Sequence, residues 1–422
     1  MKKFRQRYKQ IQSSKDGKTL IANFGYLSLL QIAGYIFPLL TLPYLARVIG
    51  VDSFGKIAFA SAVVVWFQTI ADWGFNYTAT RDVAQNRDNN EKVNEIFSNV
   101  FWARILLMLL SFFLLLLVIA IVPKFKENSN IILLTFLIVP GGIMFPDWFF
   151  QAMERMRYIT ILNLLSKTLV TIAVFVFIKQ RSDFILQPLI ISLGSLASGI
   201  MAMYFIIGSW RVKLHKPQLR MILHTIKGSK DVFLNNLTPN LYNSFSNVLL
   251  GFYGSSVSNG KLDAGNKFVG IVQQFMSIIS RIFFPFLSRR IDRHDLFVKI
   301  NLWLSISLSL VLFFFAPVLI NLFFTPEFND AILVLRIMSF SILFLTLSNV
   351  YGTNFMIIQG YERQLRNITF VSSIIGFILS LPLIYFFDYI GAAITVTLTR
   401  GILGSSIMWK FYKIKNKLNI KT

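Results

Sequence analysis

Long apolar stretches, separated by short polar or charged segments, recur along the whole sequence. Each stretch is close to the roughly 20 residues that an α-helix needs to cross a membrane. A transmembrane β-barrel would instead alternate apolar and polar residues. The pattern predicts an all-α integral membrane protein with about twelve transmembrane helices, at 20–46, 54–78, 101–122, 131–150, 158–178, 184–207, 232–253, 264–287, 301–324, 331–355, 366–387 and 389–410.

Composition supports a membrane protein. Of the 422 residues, 55% are hydrophobic and only 14% are charged, which is too apolar for a soluble protein of this length. The absence of cysteine excludes disulfides, thiolate metal sites and cysteine nucleophiles. The three histidines, at 215, 224 and 294, fall in predicted loops, far apart in sequence, so we expect them to be solvated and expect no metal site.

The distribution of Lys and Arg predicts the orientation in the membrane. With both termini in the cytoplasm, most of the 42 basic residues fall in cytoplasmic segments, including the loop at 81–104. This agrees with the positive-inside rule. The formal net charge of +23 is therefore spread over short loops beside anionic lipid, and we expect no nucleic-acid partner.

Two pairs of similar strings indicate an internal duplication. WFFQAMERMRYIT (148–160) returns as MIIQGYERQLRNIT (356–369), about 208 residues later. VIGVDSFGKIAF (48–59) resembles SNGKLDAGNKFV (258–269) at nearly the same offset. Chance likeness of short polar loops is the alternative, but a shared offset and sidedness favour duplication.

We therefore predict two pseudo-symmetric six-helix bundles that enclose a cleft and expose it to each side of the membrane in turn. The predicted segments are a basic cytoplasmic tail (1–19), the amino-terminal bundle (20–207), a basic cytoplasmic linker (208–230), the carboxyl-terminal bundle (231–412) and a second cytoplasmic tail (413–422).

Polar side chains within the predicted helices indicate a hydrated wall. Four asparagines of the seventh helix are spaced four, three and four residues apart and would share one helical face: Asn236, Asn240, Asn243 and Asn247. Gln273 adds an amide to the eighth helix. Amides of this kind can simply join helices, but four on one face favour contact with sugar hydroxyls.

Charged residues within the predicted helices are mostly cationic. Each costs about 2.5 to 3.5 kcal/mol near the bilayer centre, so we expect them to face protein or water. The acids, Asp72 and Asp147, are expected to be counter-ions, and Asp72 is alternatively a proton or sodium site. The positive surplus favours an anionic cargo, and guanidinium groups suit phosphate oxygens. The candidate cargo-binding cations are Lys167, Arg281, Arg336, Arg400 and, at the outer end of the first helix, Arg47.

Several stretches resemble the bacterial O-antigen and capsule flippases called Wzx, in the polysaccharide branch of the multidrug/oligosaccharidyl-lipid/polysaccharide (MOP) superfamily. The resemblance covers most of the chain. It rests most on IADWGFNYTATRDVA (70–84) and PDWFFQAMERMRYITILN (146–163), and more loosely on Pro38 and Pro43 before LARVIGVDSFGKIAFA and on LPLIYFFDYIGAAI (381–394).

The resemblance implies a MOP- or MATE-like fold in the bacterial inner membrane. It also implies transport of undecaprenyl-diphosphate-linked oligosaccharide from the cytoplasmic to the periplasmic leaflet. The expected partners are this lipid-linked cargo, membrane lipids and other polysaccharide-assembly proteins. The full phosphate-binding motif GxxxxGK[ST] is absent, since the string GKT at 17–19 has glutamine and not glycine at position 12, so we expect no nucleotide or other cofactor, with H⁺ or Na⁺ as the coupling ion.

Two other classes remain as alternatives. A drug or cation antiporter of the same superfamily would resemble members with a functional carboxylate in the first helix, and residues 20–45 contain none. A membrane enzyme, such as a glycosyltransferase or O-antigen polymerase, would need catalytic groups in a sizeable external loop. The predicted outer loops are all short, so we predict that the protein is not an enzyme.

Overall fold

The computed structural model describes residues 15–418, so the first 14 residues of the predicted amino-terminal tail and the last four of the carboxyl-terminal tail lie outside the described residues. The described chain is helical along most of its length and contains no strand. In chain order the α-helices are α1 (Lys15–Asp72), α2 (Phe75–Gln85), α3 (Asn90–Ile121), α4 (Pro123–Glu127), α5 (Ser129–Phe136), α6 (Ile138–Met144), α7 (Asp147–Ala152), α8 (Met156–Phe177), α9 (Leu186–Met203), α10 (Leu219–Gly228), α11 (Lys230–Leu237), α12 (Ser244–Tyr253), α13 (Ser256–Arg289), α14 (His294–Phe323), α15 (Ala331–Leu347) and α16 (Glu362–Leu418).

The transmembrane helices agree with the predicted architecture. Nine helical segments of the described chain are long and apolar enough to cross a membrane. Two of them bend sharply, α1 at Gly50 and α16 at Asp388, and each bend separates two arms. The predicted seventh helix is divided between α11 and α12. The nine segments, one additional arm from each of the two bent helices and the divided seventh helix together account for the twelve predicted spans. The predicted all-α membrane fold is therefore confirmed.

The second transmembrane helix ends at Asp72 and does not continue to the predicted residue 78. Trp73 and Gly74 both have positive φ, 43° and 80°, which ends α1 and starts α2 in a new direction. α2 is amphipathic: Phe75, Ala79 and Val83 lie four residues apart and are buried. The residues at 75–78, which were predicted to end the second transmembrane helix, therefore belong to the amphipathic helix α2.

The surfaces of the long helices carry apolar side chains at helical spacing. On α8, the exposed residues Ile161, Leu165, Leu169 and Ile172 form one stripe. On α14, Phe314, Phe315, Val318 and Leu322 are more than half exposed. Apolar faces of this size are stable only when lipid covers them.

The described chain forms two compact units. The first contains residues 15–44 and 67–234, and the second contains residues 45–66 and 235–418. A fully buried aromatic cluster holds together α2, α3 and α7 in the first unit, with Phe75, Phe97, Trp148, Phe149 and Phe150. The predicted limits of the two bundles remain predictions.

The similar strings 48–59 and 258–269 pack against each other within the second unit. A Cβ added at Gly55 would lie 1.6 Å from the Ser256 carbonyl oxygen, and one added at Gly260 would lie 2.4 Å from the Val51 carbonyl oxygen. The backbone of α1 beyond its bend therefore touches the start of α13. The Val51 amide also donates to Glu327 Oε2 at 3.2 Å.

The other pair of similar strings ends in the same hydrogen-bonded helix cap. After α7, the amides of Glu154 and Arg155 donate to the carbonyls of Gln151 and Phe150. Before α16, the amides of Gly360 and Tyr361 donate to Ile357 and Met356 in the same pattern. Both caps are Schellman motifs, with Glu154 and Gly360 in the left-handed region. The strings are thus alike in backbone structure as well as in sequence.

Glu154 adopts a conformation that favours glycine, and its side chain is anchored. Its carboxylate pairs with Arg87 at 2.9 Å. The hydrogen bond from Arg87 holds the pKa of Glu154 below its usual range. The neighbouring Arg155 guanidinium lies 4.5 Å above the Trp210 ring. The charges of this turn therefore join it to other parts of the first unit.

Candidate functional site

The seventh transmembrane helix is interrupted at its centre. α11 ends at Leu237, a single 3-10 turn follows at Thr238–Leu241, and α12 begins at Ser244. Pro239 lies in this turn and has no amide hydrogen to donate. Interrupted helices in transporters leave backbone groups available to a ligand, and they often mark the cargo site.

Arg400 of α16 lies against this interruption. Its side chain is buried, with 7% of the residue exposed. Nη1 donates to Ser341 Oγ at 2.9 Å, and Nη2 donates to Asn243 Oδ1 at 3.1 Å. The Tyr242 side chain also interacts with the guanidinium. Nε has no hydrogen-bond partner among the described residues.

All of these partners of Arg400 are neutral. A buried guanidinium usually pairs with an acid, because an isolated charge is expensive to remove from water. Here an amide and a hydroxyl hold the group in place, and its positive charge is left unneutralised by them. This arrangement is suited to receiving an anion.

The four asparagines do not share a continuous helical face, because the helix ends between them. The structure brings Asn243 to Arg400, and the Asn247 side chain donates to the Asn243 carbonyl at 3.5 Å. Asn236 is exposed on α11, and Asn240 is half-buried in the 3-10 turn. The expected common face was wrong since Pro239 interrupts the helix; the proposed sugar contacts remain a prediction.

The hydrogen bonds among the described residues do not connect the other predicted cations to Arg400. Arg281 and Arg47 are exposed, and Lys167 is half-buried on α8 of the first unit. Arg336 contacts α14, where its guanidinium lies 5.5 Å from the Phe313 ring centre. Gln273 is half-buried, and its Nε2 has no partner among the described residues.

The first unit contains a second charged cluster. Arg104, which was expected in a cytoplasmic loop, lies within α3 and is only 4% exposed. Its Nη2 forms a short ion pair with Asp72 Oδ1. Asp147, at the start of α7, interacts electrostatically with both groups. The sequence signal for Arg104 was its position in the apolar run FWARILLMLL, within the predicted helix 101–122, although the residue was counted with the basic loop at 81–104.

Histidine burial differs from the prediction at one position. His215 and His224 are exposed, as expected, although His224 lies in helix α10 and not in a loop. His294 is fully buried at the start of α14, and Nε2 lies 2.8 Å from the Val350 carbonyl oxygen. It precedes Phe297 and Val298, which are also buried, so it begins the inward face of the helix. The described residues contain no group of three or more acidic, histidine or cysteine side chains arranged to hold a metal ion.

Solved structures with the same fold define the class. The chain superposes on a structure named "Lipid II flippase MurJ, inward closed conformation" with a TM-score of 0.70 and 15% sequence identity, covering 92% of this chain and 87% of that one. An outward-facing structure of a multidrug resistance MATE family transporter of the MOP superfamily gives a TM-score of 0.54 at 12% identity, covering 95% of each chain. The protein is therefore a multi-pass membrane protein with a MOP-type fold.

Sequence comparison then identifies the family. A family model described as "Polysaccharide biosynthesis protein" matches residues 20–291, and a second with the same description matches residues 290–422. The chain belongs to this family, which confirms the resemblance to Wzx-type proteins. A relative from Escherichia coli K12 named "Putative O-antigen transporter" is 29% identical over 408 residues, covering 95% of this chain and 98% of the relative. One of the same name from Shigella dysenteriae is 24% identical, covering 90% and 97%.

Proposed function

We propose that this protein is a flippase that moves an undecaprenyl-diphosphate-linked oligosaccharide across the bacterial inner membrane. The cargo passes from the cytoplasmic to the periplasmic leaflet by alternating access, and both termini of the protein are cytoplasmic. The observation that carries this proposal is the buried Arg400 guanidinium, held by neutral groups beside an interrupted helix. Membership of the polysaccharide biosynthesis family and the names of the curated relatives support the same cargo class.

The chemistry of such a cargo explains why a protein is needed. Removing one hydroxyl from water without a replacement hydrogen bond costs about 4 to 8 kcal/mol in an alkane-like medium. Five sugar hydroxyls would therefore present a barrier of tens of kcal/mol. A barrier of about 25 kcal/mol already limits crossing to roughly one event in days. A polar path for the headgroup removes most of this barrier, while the polyprenyl chain stays in lipid.

Arg400 supplies a suitable ligand for the diphosphate. A guanidinium presents a planar set of donors that matches two phosphate oxygens. Because the present partners are an amide and a hydroxyl, phosphate oxygens can replace them without breaking an ion pair. Asn243 then remains next to the headgroup, where its amide can bind a sugar hydroxyl. Lys167, Arg281, Arg336, Arg47, Gln273 and the other three asparagines remain secondary candidates for cargo contact.

Replacing Arg400 tests this assignment. We expect Arg400→Gln to lower the rate of leaflet inversion of a fluorescent lipid-linked oligosaccharide in liposomes by about tenfold or more, since a hydrogen bond to a charged group contributes about 1.5 to 3 kcal/mol. Arg400→Lys keeps the charge without the fork and should give an intermediate rate. Thermal unfolding of each variant separates lost transport from lost folding.

The matched control is Arg290→Gln, which removes an exposed guanidinium that pairs with Asp292 at 2.8 Å. It should transport at the wild-type rate. A folded Arg400→Gln protein with an unchanged rate would contradict the role of Arg400. Extrusion of a cationic drug from the same liposomes, without inversion of the lipid-linked sugar, would favour the antiporter alternative.

A further inference from the structure

The linker at 208–230 contains six cations and no acid. All six are exposed, and none forms an ion pair among the described residues. They are Arg211, Lys213, Lys216, Arg220, Lys227 and Lys230. Several exposed cations elsewhere in the chain pair with acids, such as Arg81 with Asp82 and Lys92 with Glu95, each at 2.8 Å. The positive charge of the linker is therefore available to an anionic partner.

The first part of the linker is fixed on one face of α3. The Lys213 amide donates to Asn94 Oδ1 at 3.0 Å, and the His215 amide donates to Ser98 Oγ at 2.8 Å. Trp102 Nε1 donates to the His215 carbonyl oxygen at 2.9 Å. The three α3 residues are spaced four apart and so share a helical face. Because these bonds use the backbone of the linker, its basic side chains stay exposed.

The same face of α3 becomes apolar one helical turn beyond Trp102. Leu106, Leu109 and Phe113 continue the line of Trp102 and are exposed. An α-helix rises about 1.5 Å per residue, so Leu106 lies about 6 Å along the axis from Trp102. Exposed apolar side chains on a membrane-spanning helix face lipid, and tryptophan is typical of the boundary between lipid and water. The fixed part of the linker therefore lies at the level of the lipid headgroups.

The helix of the linker, α10, packs on α3 and presents three kinds of surface in order around its axis. Ile222 is buried against the aromatic cluster of the first unit. Leu219 and Leu223, on the adjoining side, are more than half exposed. Arg220 and Lys227 follow further round the axis and are exposed. A helix at a membrane surface has this order, since its apolar side chains contact acyl chains and its cations contact phosphates.

We propose that the linker is a docking surface for the headgroups of anionic phospholipids, with Leu219 and Leu223 inserted among the acyl chains. Each Lys or Arg beside an anionic leaflet strengthens attachment about fivefold. An acidic soluble protein could also bind the cations, but it would not account for exposed leucines beside them or for a linker fixed where α3 enters lipid. The docking surface does not depend on the proposed flippase function.

A local quenching measurement tests the docking surface in the full-length protein. Because the sequence has no cysteine, Gln218→Cys accepts a single fluorophore at an exposed position just before α10. The labelled protein is placed in phosphatidylcholine nanodiscs with a small amount of one spin-labelled lipid, either phosphatidylglycerol or phosphatidylcholine. The spin label is on the acyl chain close to the headgroup. At equal amounts and low salt, phosphatidylglycerol should quench about fivefold more strongly.

Removing cations next to the fluorophore should abolish this preference. In the triple variant Lys213→Gln, Lys216→Gln, Arg220→Gln, the two lipids should quench equally. Equal quenching in the protein that retains these cations would overturn the proposal. So would a full preference in the folded triple variant.

A matched triple variant removes the same charge elsewhere. It replaces three exposed cations that already pair with acids, by Arg81→Gln, Lys92→Gln and Arg290→Gln. The preference for phosphatidylglycerol should remain about fivefold. A loss as large as in the linker variant would mean that net charge, and not the linker, attracts the lipid.

The leucines are tested separately. The double variant Leu219→Gln, Leu223→Gln should be quenched less by both lipids, because α10 loses its contact with acyl chains. Met221→Gln is the control, since Met221 is exposed on the opposite side of α10. Unchanged quenching in the folded double variant would contradict insertion. If neither lipid quenches the fluorophore when the leucines are present, the linker lies away from the membrane, and an acidic protein would replace lipid as its partner.

Discussion

At the scale of single residues, glycine decides how closely two helices can approach. Gly55 of α1 and Gly260 of α13 each face a backbone carbonyl of the other segment. A side chain larger than hydrogen at either position would have to displace backbone and not merely rotate a flexible side chain. The contact therefore depends on the absence of two methyl groups.

We expect Gly55→Ala to lower the melting temperature, because its Cβ would lie 1.6 Å from the Ser256 carbonyl oxygen. Overpacking of this kind typically costs about 1 to 3 kcal/mol. Thermal unfolding in detergent, followed by tryptophan fluorescence, measures the change. Gly270→Ala is the control, since a Cβ there meets nothing within 4 Å and α13 should gain slightly from alanine. Equal melting temperatures for the two variants would show that the α1 and α13 backbones can separate freely.

At the scale of elements, the interruption of the seventh helix positions Asn243 against Arg400. The break follows from Pro239, which has no amide hydrogen to donate and restricts the conformation of the preceding residue. The 3-10 turn at Thr238–Leu241 absorbs the change of direction. The interruption at Pro239 therefore determines where Asn243 meets the Arg400 guanidinium.

Replacing Pro239 should weaken the hydrogen bond between Asn243 and Arg400. Pro239→Ala restores an amide donor and permits a continuous helix, which would rotate Asn243 away from its 3.1 Å bond to Arg400. We expect the rate of lipid inversion to fall by about tenfold, in proportion to one lost charged hydrogen bond. Pro317→Ala, in the otherwise regular α14, is the matched control and should retain transport. Loss of transport in both variants would indicate a general requirement for proline and not a role of this break.

The sequence predicted the elements better than the contacts between them. Apolar runs of membrane-spanning length predicted the helices because lipid requires backbone hydrogen bonds to be satisfied within each segment. Helical spacing alone grouped Asn236 with Asn247, and it failed where the helix itself is interrupted. Arg104 was misplaced for a related reason: α3 begins at Asn90, about three turns before the apolar run, so a residue near the apparent end of the span is inside the protein. The spacing of polar and apolar residues does not show where a helix is interrupted or how far it extends beyond an apolar run.

At the scale of the whole molecule, residues that are neighbours in sequence do not always belong to the same compact unit. Residues 45–66 belong to the second unit, although the predicted linker at 208–230 separates them in sequence from the rest of it. Their place in that unit includes the Val51 amide bond to Glu327 and the edge-to-face contact of Phe54 with Phe328, at 5.6 Å between ring centres. Packing contacts of this kind, and not continuity of the chain with residues 235–418, therefore keep residues 45–66 in the second unit.

Cutting the linker tests this argument. Lys216, Pro217 and Gln218 are exposed, so a protease site inserted after Lys216 should be cleaved in the folded protein. We expect the two fragments to remain together during affinity purification in mild detergent, because residues 45–66 of the first fragment pack among residues of the second. Adding Gly55→Ala should reduce the recovered partner fragment, and Gly270→Ala should not, since only the former disturbs that packing. Complete separation after cleavage alone would mean that the linker, and not the exchanged segment, holds the two parts together.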